Sequence, residues 1–530
     1  MSSLHPSPGD DLAQALRRRL ATDEGAAVEL IETHISWVLL TERHAYKIKK
    51  PVRFGFVDFT SLEARRQGCE DELRLNLRLA PSLYIGVVEI RGTAEAPRLV
   101  GEGPVQEYAV CMHRFPPGAL LSERLVAGTL EPAQLDRLAQ RLAVFHDEAR
   151  VVEAGASHGA ATTVTRAALG ALDGIGQSAL ATGCGRLRRW LEAQAVMLAP
   201  LWAERQARGR VRECHGDLHL ANVVVLGDEV TAFDCLEFDE TLRCIDVLAD
   251  IAFLVMDLLA HGRRDLAFHF LNAYLEHTGD YAGLPVLRFY LVYRALVRAQ
   301  VGLLRRRQGG GAAASGQPAP DYFALARRLA TQRDPRLLVT HGLPGSGKSF
   351  LSQRLLERVG AIRVRADVER KRLFGLAPLE SSRGRAARYV YGEAATARTY
   401  ARLAHAAQDA LRAGYPTIID AACLRRSERA RFVELAGQLG VPFLLLDCEA
   451  DFDVMRGRIQ AREQRGDDAS EADVAVLERL STLREDLSAA ERCQALQVDT
   501  GRAASIDALA GAWLGRAADE TRGAAAGPPA

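Results

Sequence analysis

The sequence lacks a long hydrophobic run, a paired-cysteine motif, a surplus of either charge and an internal repeat. No apolar stretch approaches the roughly 18 residues that a helix spanning a bilayer takes, so no membrane span and no membrane partner are predicted. The opening residues, MSSLHPSPGDD, are polar and carry no apolar signal core, which makes the cytoplasm the default compartment. Nine cysteines, an odd number, are scattered from Cys69 to Cys493 without a C-x-x-C pair, which argues for reduced thiols and against a zinc site or disulfide framework. With 68 basic and 67 acidic residues the formal net charge is +1, so charge gives no case for a nucleic-acid partner. A nucleic-acid end stays open as a substrate, because a local basic cleft can hide within a neutral total.

What is present is a soluble-type composition, 48% apolar and 25% charged, over 530 residues. Domains usually run about 100–200 residues, so two or three are expected. The boundary falls at 308–320, QGGGAAASGQPAP, whose Gly, Ala, Ser and Pro cannot build a core and read as a flexible linker. It separates a domain over 1–307 from one over 321–516; residues 517–530 read as a disordered tail. The first domain shows strand-like runs at Ser36–Leu40, Ala45–Lys49, Ile85–Ile90 and Tyr108–Met112, with a helix over Leu62–Leu79. After Pro117 it turns mostly helical, apart from short strands near Asn222–Leu226 and Val230–Asp234. This is an α+β pattern, a small β lobe ahead of a larger helical lobe. In the second domain Arg336–Thr340, Ala361–Val364, Thr417–Asp420, Pro442–Asp447 and Leu496–Asp499 alternate with helical stretches, the pattern of an α/β parallel sheet.

Gly342, Leu343, Pro344, Gly345, Ser346, Gly347, Lys348 and Ser349 fit G-x-x-x-x-G-K-[ST] at every defined position, between an apolar strand and a helical run. Such glycines let backbone N–H groups wrap phosphates, the lysine reaches the β- and γ-phosphates, and the serine can ligate Mg²⁺. Asp367 and Arg370 follow the next strand, where a carboxylate can orient or deprotonate an acceptor hydroxyl and an arginine can hold a phosphate. Asp420 closes its strand as a candidate metal acid, and Arg458 and Arg462 share a helix face with Arg465, as a phosphate-neutralising lid would need. On these residues the segment 335–515 resembles the P-loop kinases related to phage polynucleotide kinase. The resemblance implies ATP and Mg²⁺ and leaves the acceptor open between a small metabolite and a nucleic-acid 5′-hydroxyl.

The second constellation is Cys214-His215-Gly216-Asp217-Leu218-His219-Leu220-Ala221-Asn222, followed by Asp234 at the end of a strand. In a kinase catalytic loop the Asp orients or takes the acceptor proton, the Asn five residues on holds a metal, and a strand-end Asp holds a second. Residues 30–300 resemble the aminoglycoside phosphotransferase and choline kinase superfamily, which has a protein-kinase-like fold. The resemblance implies a strand lysine on the α/β-phosphates, here Lys47 or Lys49, and a helix glutamate paired with it, Glu72 with Glu70 as the alternative. It also assigns Asp246 and Asp250 to buttressing the loop. A polycationic aminoglycoside calls for an acid-lined pocket, whereas the region after Asp250 mixes Asp257, Asp265 and Glu276 with Arg263, Arg264, Arg294 and Arg298, so the acceptor is not read as an aminoglycoside.

Together these readings predict an enzyme with two ATP- and Mg²⁺-dependent kinase modules. The alternative is a regulatory sensor that binds ATP without metabolic turnover, against which the retention of Asp217 and Asp367 counts.

Overall fold

The computed structural model describes residues 10–54, 57–176, 183–307, 320–382, 390–466 and 468–515. Of the stretch read as a linker only Pro320 lies within these residues, and the tail 517–530 lies outside them. The chain forms two compact units, Met1–Val164 with Trp202–Leu254, and Thr165–Leu201 with Val255–Ala530.

The first unit is built on a six-stranded sheet in the order Glu29–Glu32, Ser36–Leu40, His44–Lys49, Val105–His113, Tyr84–Gly92, Pro97–Arg98, with every pair antiparallel. Side chains alternate along a strand, so each strand serves two faces. On one face Trp37, Leu39, Tyr46, Ile48 and Ala109 bury against Ala13, Leu16 and Leu20 of the helix Asp10–Glu24. On the other, Ala45, Val110, Met112 and Tyr84 bury against Cys69 of the helix Leu62–Asn76. That helix starts where Ser61 accepts a hydrogen bond from the Ala64 N–H at 3.1 Å. The sheet is followed by the helix Pro132–Glu148, the strand Val211–Glu213 paired with Cys244–Asp246, and the hairpin Val223–Leu226 with Glu229–Ala232. The strand and helix runs expected from sequence are present here, displaced at their ends by a few residues.

The second unit contains a five-stranded, wholly parallel sheet in the order Ile362–Arg365, Thr417–Asp420, Leu337–His341, Phe443–Glu449, Ala495–Asp499. The strand leading into the phosphate-loop motif is therefore the central one. Leu338, Ile418 and Leu446 face the helices Lys348–Val359 and Ile506–Leu514 in a core closed by Leu355 and Trp513. Both faces of the central strands are buried, which accounts for their unbroken apolar runs. The edge strand Ile362–Arg365 is covered by the helix Arg264–Thr278. There the Asn272 amide donates to the Ala361 carbonyl at 2.9 Å and accepts from the Arg363 N–H at 2.6 Å, replacing a neighbouring strand.

Candidate functional sites

Because Lys47 and Lys49 leave the strand His44–Lys49 on the same face, both meet the helix Leu62–Asn76. Lys47 Nζ donates to Glu72 Oε1 at 2.9 Å and Lys49 Nζ donates to Glu72 Oε2. Glu70 points elsewhere, 3.4 Å from Arg66. Beyond Glu72 the two lysines part. Lys47 reaches Asp234 Oδ1 at 2.5 Å, while Lys49, with no solvent exposure, turns to Glu237 and lies 5.7 Å from the Phe59 ring centre. Burial alone would lower the pKa of Lys47, but Asp234 and Glu72 outweigh it and raise it well above its ordinary value. Burial raises the pKa of Glu237 against the pull of Lys49.

Asp234 adopts φ +65°, left-handed for a residue with a side chain. The turn is held from two sides: the Asp234 N–H donates to the Tyr84 hydroxyl oxygen at 3.2 Å, and the Cys235 N–H donates to Asn76 Oδ1 at 2.9 Å. Strained residues of this kind persist where the surroundings over-determine them. In the loop after Val211–Glu213, Asn222 Nδ2 donates to the Asp217 carbonyl at 3.0 Å and to its carboxylate at 3.3 Å. His219 lies 3.5 Å from the same carboxylate. The loop rests on Asp250, which accepts the N–H groups of His215 (3.1 Å) and Gly216 (2.8 Å) and bonds His146 at 3.1 Å. Burial raises the Asp250 pKa, yet these partners hold it below the ordinary carboxylate range. Asp246 is clamped by Arg205 at 2.6 and 2.7 Å. Asp250 thus buttresses the loop as expected of it, whereas the bonds of Asp246 go to Arg205 and to the Leu248 N–H.

In the second unit the phosphate loop leaves the carboxyl end of the central strand, where parallel α/β sheets bind ligands. Gly342, Gly345 and Gly347 have φ of +138°, +80° and +85°. A Cβ on Gly342 would stand 2.4 Å from the Cys448 carbonyl oxygen, and one on Gly345 would stand 2.6 Å from that of Met455, so only glycine fits at either position. Lys348 Nζ donates to the Leu343 carbonyl of its own loop at 2.8 Å, and burial lowers its pKa against the opposing pull of Cys448 and Asp420. Ser349 Oγ donates to Asp420 Oδ1 at 3.3 Å, and Ser352 Oγ donates to Oδ2 at 3.1 Å. Asp367 lies in the first turn of the helix Ala366–Arg372, half-buried; the residue capping that helix is Arg365. Arg370 is buried, donating to the Val390 carbonyl and to Thr396 Oγ1, both at 3.1 Å. Arg458 is pinned to the loop rim through the Gly345 carbonyl (3.2 Å) and Thr500 (2.9 and 2.7 Å), and Arg462 donates to the Ala472 carbonyl at 2.6 Å.

Comparison with known proteins agrees with this geometry. Residues 53–290 match the model of the phosphotransferase enzyme family, and residues 337–487 match that of an AAA domain. An uncharacterized protein of Mycobacterium tuberculosis strain H37Rv is 31% identical over 460 residues, covering 86% of this chain and 90% of its own. The chain belongs to that protein's family. It is a kinase-type enzyme, with a phosphotransferase module ahead of a P-loop kinase module. Similar solved structures include a choline/ethanolamine kinase family protein from Mesorhizobium loti (13% identical, 61% of this chain and 95% of that one, TM-score 0.36). A gluconokinase from Sinorhizobium meliloti is 19% identical over 37% of this chain and all of that one, with a TM-score of 0.26.

Kinases of these families take ATP, usually with Mg²⁺. Residues of both modules suit that pair. The P-loop glycines form a cradle that a Cβ would fill, and Ser349, Asp420, Asn222 and Asp234 supply the hard oxygen donors that Mg²⁺ prefers. Among the described residues no helix is long and apolar enough to cross a membrane. Sequence reasoning missed Glu237, Tyr84 and Asn76 in the phosphotransferase module and Ser352 in the P-loop kinase module. Only Glu237 left a trace in the sequence, as an acid three residues after Asp234.

The two lysines of the phosphotransferase module should separate experimentally. Lys49→Ala leaves Glu237 buried without its cation and takes one of the two lysines from buried Glu72, and is expected to cost about 3–5 kcal/mol of stability in denaturant titration. Lys47→Ala is expected to leave the unfolding midpoint close to that of the parent and to weaken ATP binding. Equal stability losses in the two variants would contradict this division.

Proposed function

We propose that this chain is an ATP-dependent phosphotransferase with two active modules, each moving the γ-phosphoryl group to an acceptor hydroxyl. One observation carries the proposal: in each module a metal-type carboxylate touches a residue of the nucleotide motif, Asp234 on the phosphate-reaching Lys47 and Asp420 on the metal-ligating Ser349.

In the phosphotransferase module, Lys47 holds the α/β-phosphates, with Glu72 fixing its position. Lys49 is structural. Asn222 and Asp234 would hold the metal, and Asp217 accepts the proton of the attacking hydroxyl while Asn222 fixes its orientation. In the P-loop kinase module, the backbone of Gly342–Ser349 and Lys348 hold the β/γ-phosphates, and Ser349 with Asp420 would hold the metal. Asp367 orients the acceptor hydroxyl, Arg370 shapes the acceptor side through the segment at Val390 and Thr396, and Arg458 and Arg462 form the lid rim. Bound Mg²⁺ supplies charge neutralisation at the transferring phosphoryl group. Everything else these residues do is positioning and electrostatic support. The balanced charge of the chain favours small-molecule acceptors over a nucleic-acid end.

Calorimetric titration of the full chain with the non-hydrolysable analogue AMPPNP and Mg²⁺ is expected to give two sites per chain. Binding at neither module would eliminate the proposal. Two tight sites without transfer of labelled phosphate to any hydroxyl-bearing metabolite would turn it toward an ATP sensor.

A further inference from the structure

The helix Arg264–Thr278 lies within the stretch that matches the phosphotransferase family, yet it packs in the second unit against the edge strand of the P-loop sheet. Besides Asn272, it sends Glu276 inward. Glu276 Oε1 accepts from Arg363 at 2.8 Å, and Oε2 lies 3.5 Å from Arg365. Both arginines also approach Asp420: Arg363 is 4.0 Å and Arg365 3.8 Å from Oδ2, the oxygen that Ser352 already bonds. Asp468 takes a further share of Arg365 at 2.8 Å. Two guanidinium groups therefore stand between a carboxylate that serves no phosphate-binding motif and the carboxylate beside Ser349. Arg363 is nearly wholly buried, so its charge has little water to fall back on.

We infer that Glu276 is a positioning residue of the P-loop kinase module, drawing Arg363 and Arg365 away from Asp420 so that this carboxylate stays available to a metal. Without the Glu276 charge, Arg363 would close on Asp420 and Arg365 would be divided between Asp468 and Asp420, so that both guanidiniums compete with a divalent cation for Asp420. Outer-shell partners of this kind set how well a ligand carboxylate serves its metal. The inference rests on the reading of Ser349 and Asp420 as the metal side of an ATP site.

The test is Mn²⁺ binding with AMPPNP, read by electron paramagnetic resonance on the full chain in an Asp234→Asn background that silences the other module's metal site. Glu276→Gln is expected to weaken Mn²⁺ binding about tenfold, the lower end of the usual effect of losing an outer-shell partner. Glu276→Gln combined with Arg365→Gln, which removes one competing cation, is expected to recover most of that loss. An unchanged affinity in Glu276→Gln, or a double variant no better than the single one, overturns the inference and leaves the ATP site intact. If Glu276→Gln does not fold, Glu276→Asp, which withdraws the charge by one methylene, takes its place: weaker Mn²⁺ binding supports the inference and an unchanged affinity overturns it. If the background chain itself binds no Mn²⁺ with AMPPNP, the reading of the P-loop site fails and the inference falls with it.

Discussion

Lys348→Ala is expected to lower phosphoryl transfer by the P-loop kinase module on the order of a thousandfold while leaving transfer by the phosphotransferase module unchanged. Lys348 is half-buried at the start of the helix Lys348–Val359, and its ammonium donates to the Leu343 carbonyl of its own loop. It is thereby held inside the cradle of Gly342, Gly345 and Gly347. Fixed donors aimed at charge that grows in a transition state are worth about 10²–10³ in rate when one is removed. Here the donor carries a full charge, so the upper end applies. The fold should tolerate the change, because the loop conformation depends on glycine φ values and on the Gly342 N–H donating to the Ala422 carbonyl at 3.1 Å, neither of which involves the lysine side chain. The measurement is transfer from γ-labelled ATP to a metabolite library, comparing parent and variant at matched melting temperature. A variant that keeps more than a tenth of the module's activity would remove Lys348 from the machinery.

Asp217→Asn should produce the mirror result, a loss of about 10³-fold in the phosphotransferase module alone, within the range seen when a general base is removed. Asparagine preserves the side-chain shape and can still accept from Asn222, so ATP affinity and stability are expected to stay near those of the parent. What is lost is the anionic oxygen that orients and takes the acceptor proton. The signature is a fall in turnover with little change in the ATP KM, which marks an interaction used in the transition state and not in nucleotide binding. An unchanged turnover would show that the loop carries some other role, and a collapsed ATP affinity would move Asp217 from acceptor side to metal side.

Much of this protein was legible along the chain because its signals are local. A phosphate loop is eight consecutive residues whose glycines must take positive φ. Parallel strands buried on both faces appear as apolar runs such as Leu337–His341 and Thr417–Asp420. The Asp217-to-Asn222 spacing likewise survives reading in one dimension. The choice between Lys47 and Lys49 did not, because a period of two puts both on one strand face and gives them the same partner, Glu72. They separate only through Asp234 and Glu237, each more than a hundred residues away along the chain. Between Glu70 and Glu72 the helix itself decides, by aiming one at Arg66 and burying the other beneath the sheet.

The sequence by itself determined the two kinase-type modules, the longer strands and helices that carry the motifs, and the residues of both motifs, since backbone freedom, side-chain period and motif spacing act over a few neighbouring residues. Tertiary structure alone decided which lysine stands beside Asp234, that Asp250 and not Asp246 accepts the N–H groups of His215 and Gly216, and that Glu276 stands beside Arg363, 87 residues away along the chain. Charges so far apart in sequence come together only when packing removes the water between them, and no pattern in one dimension records that.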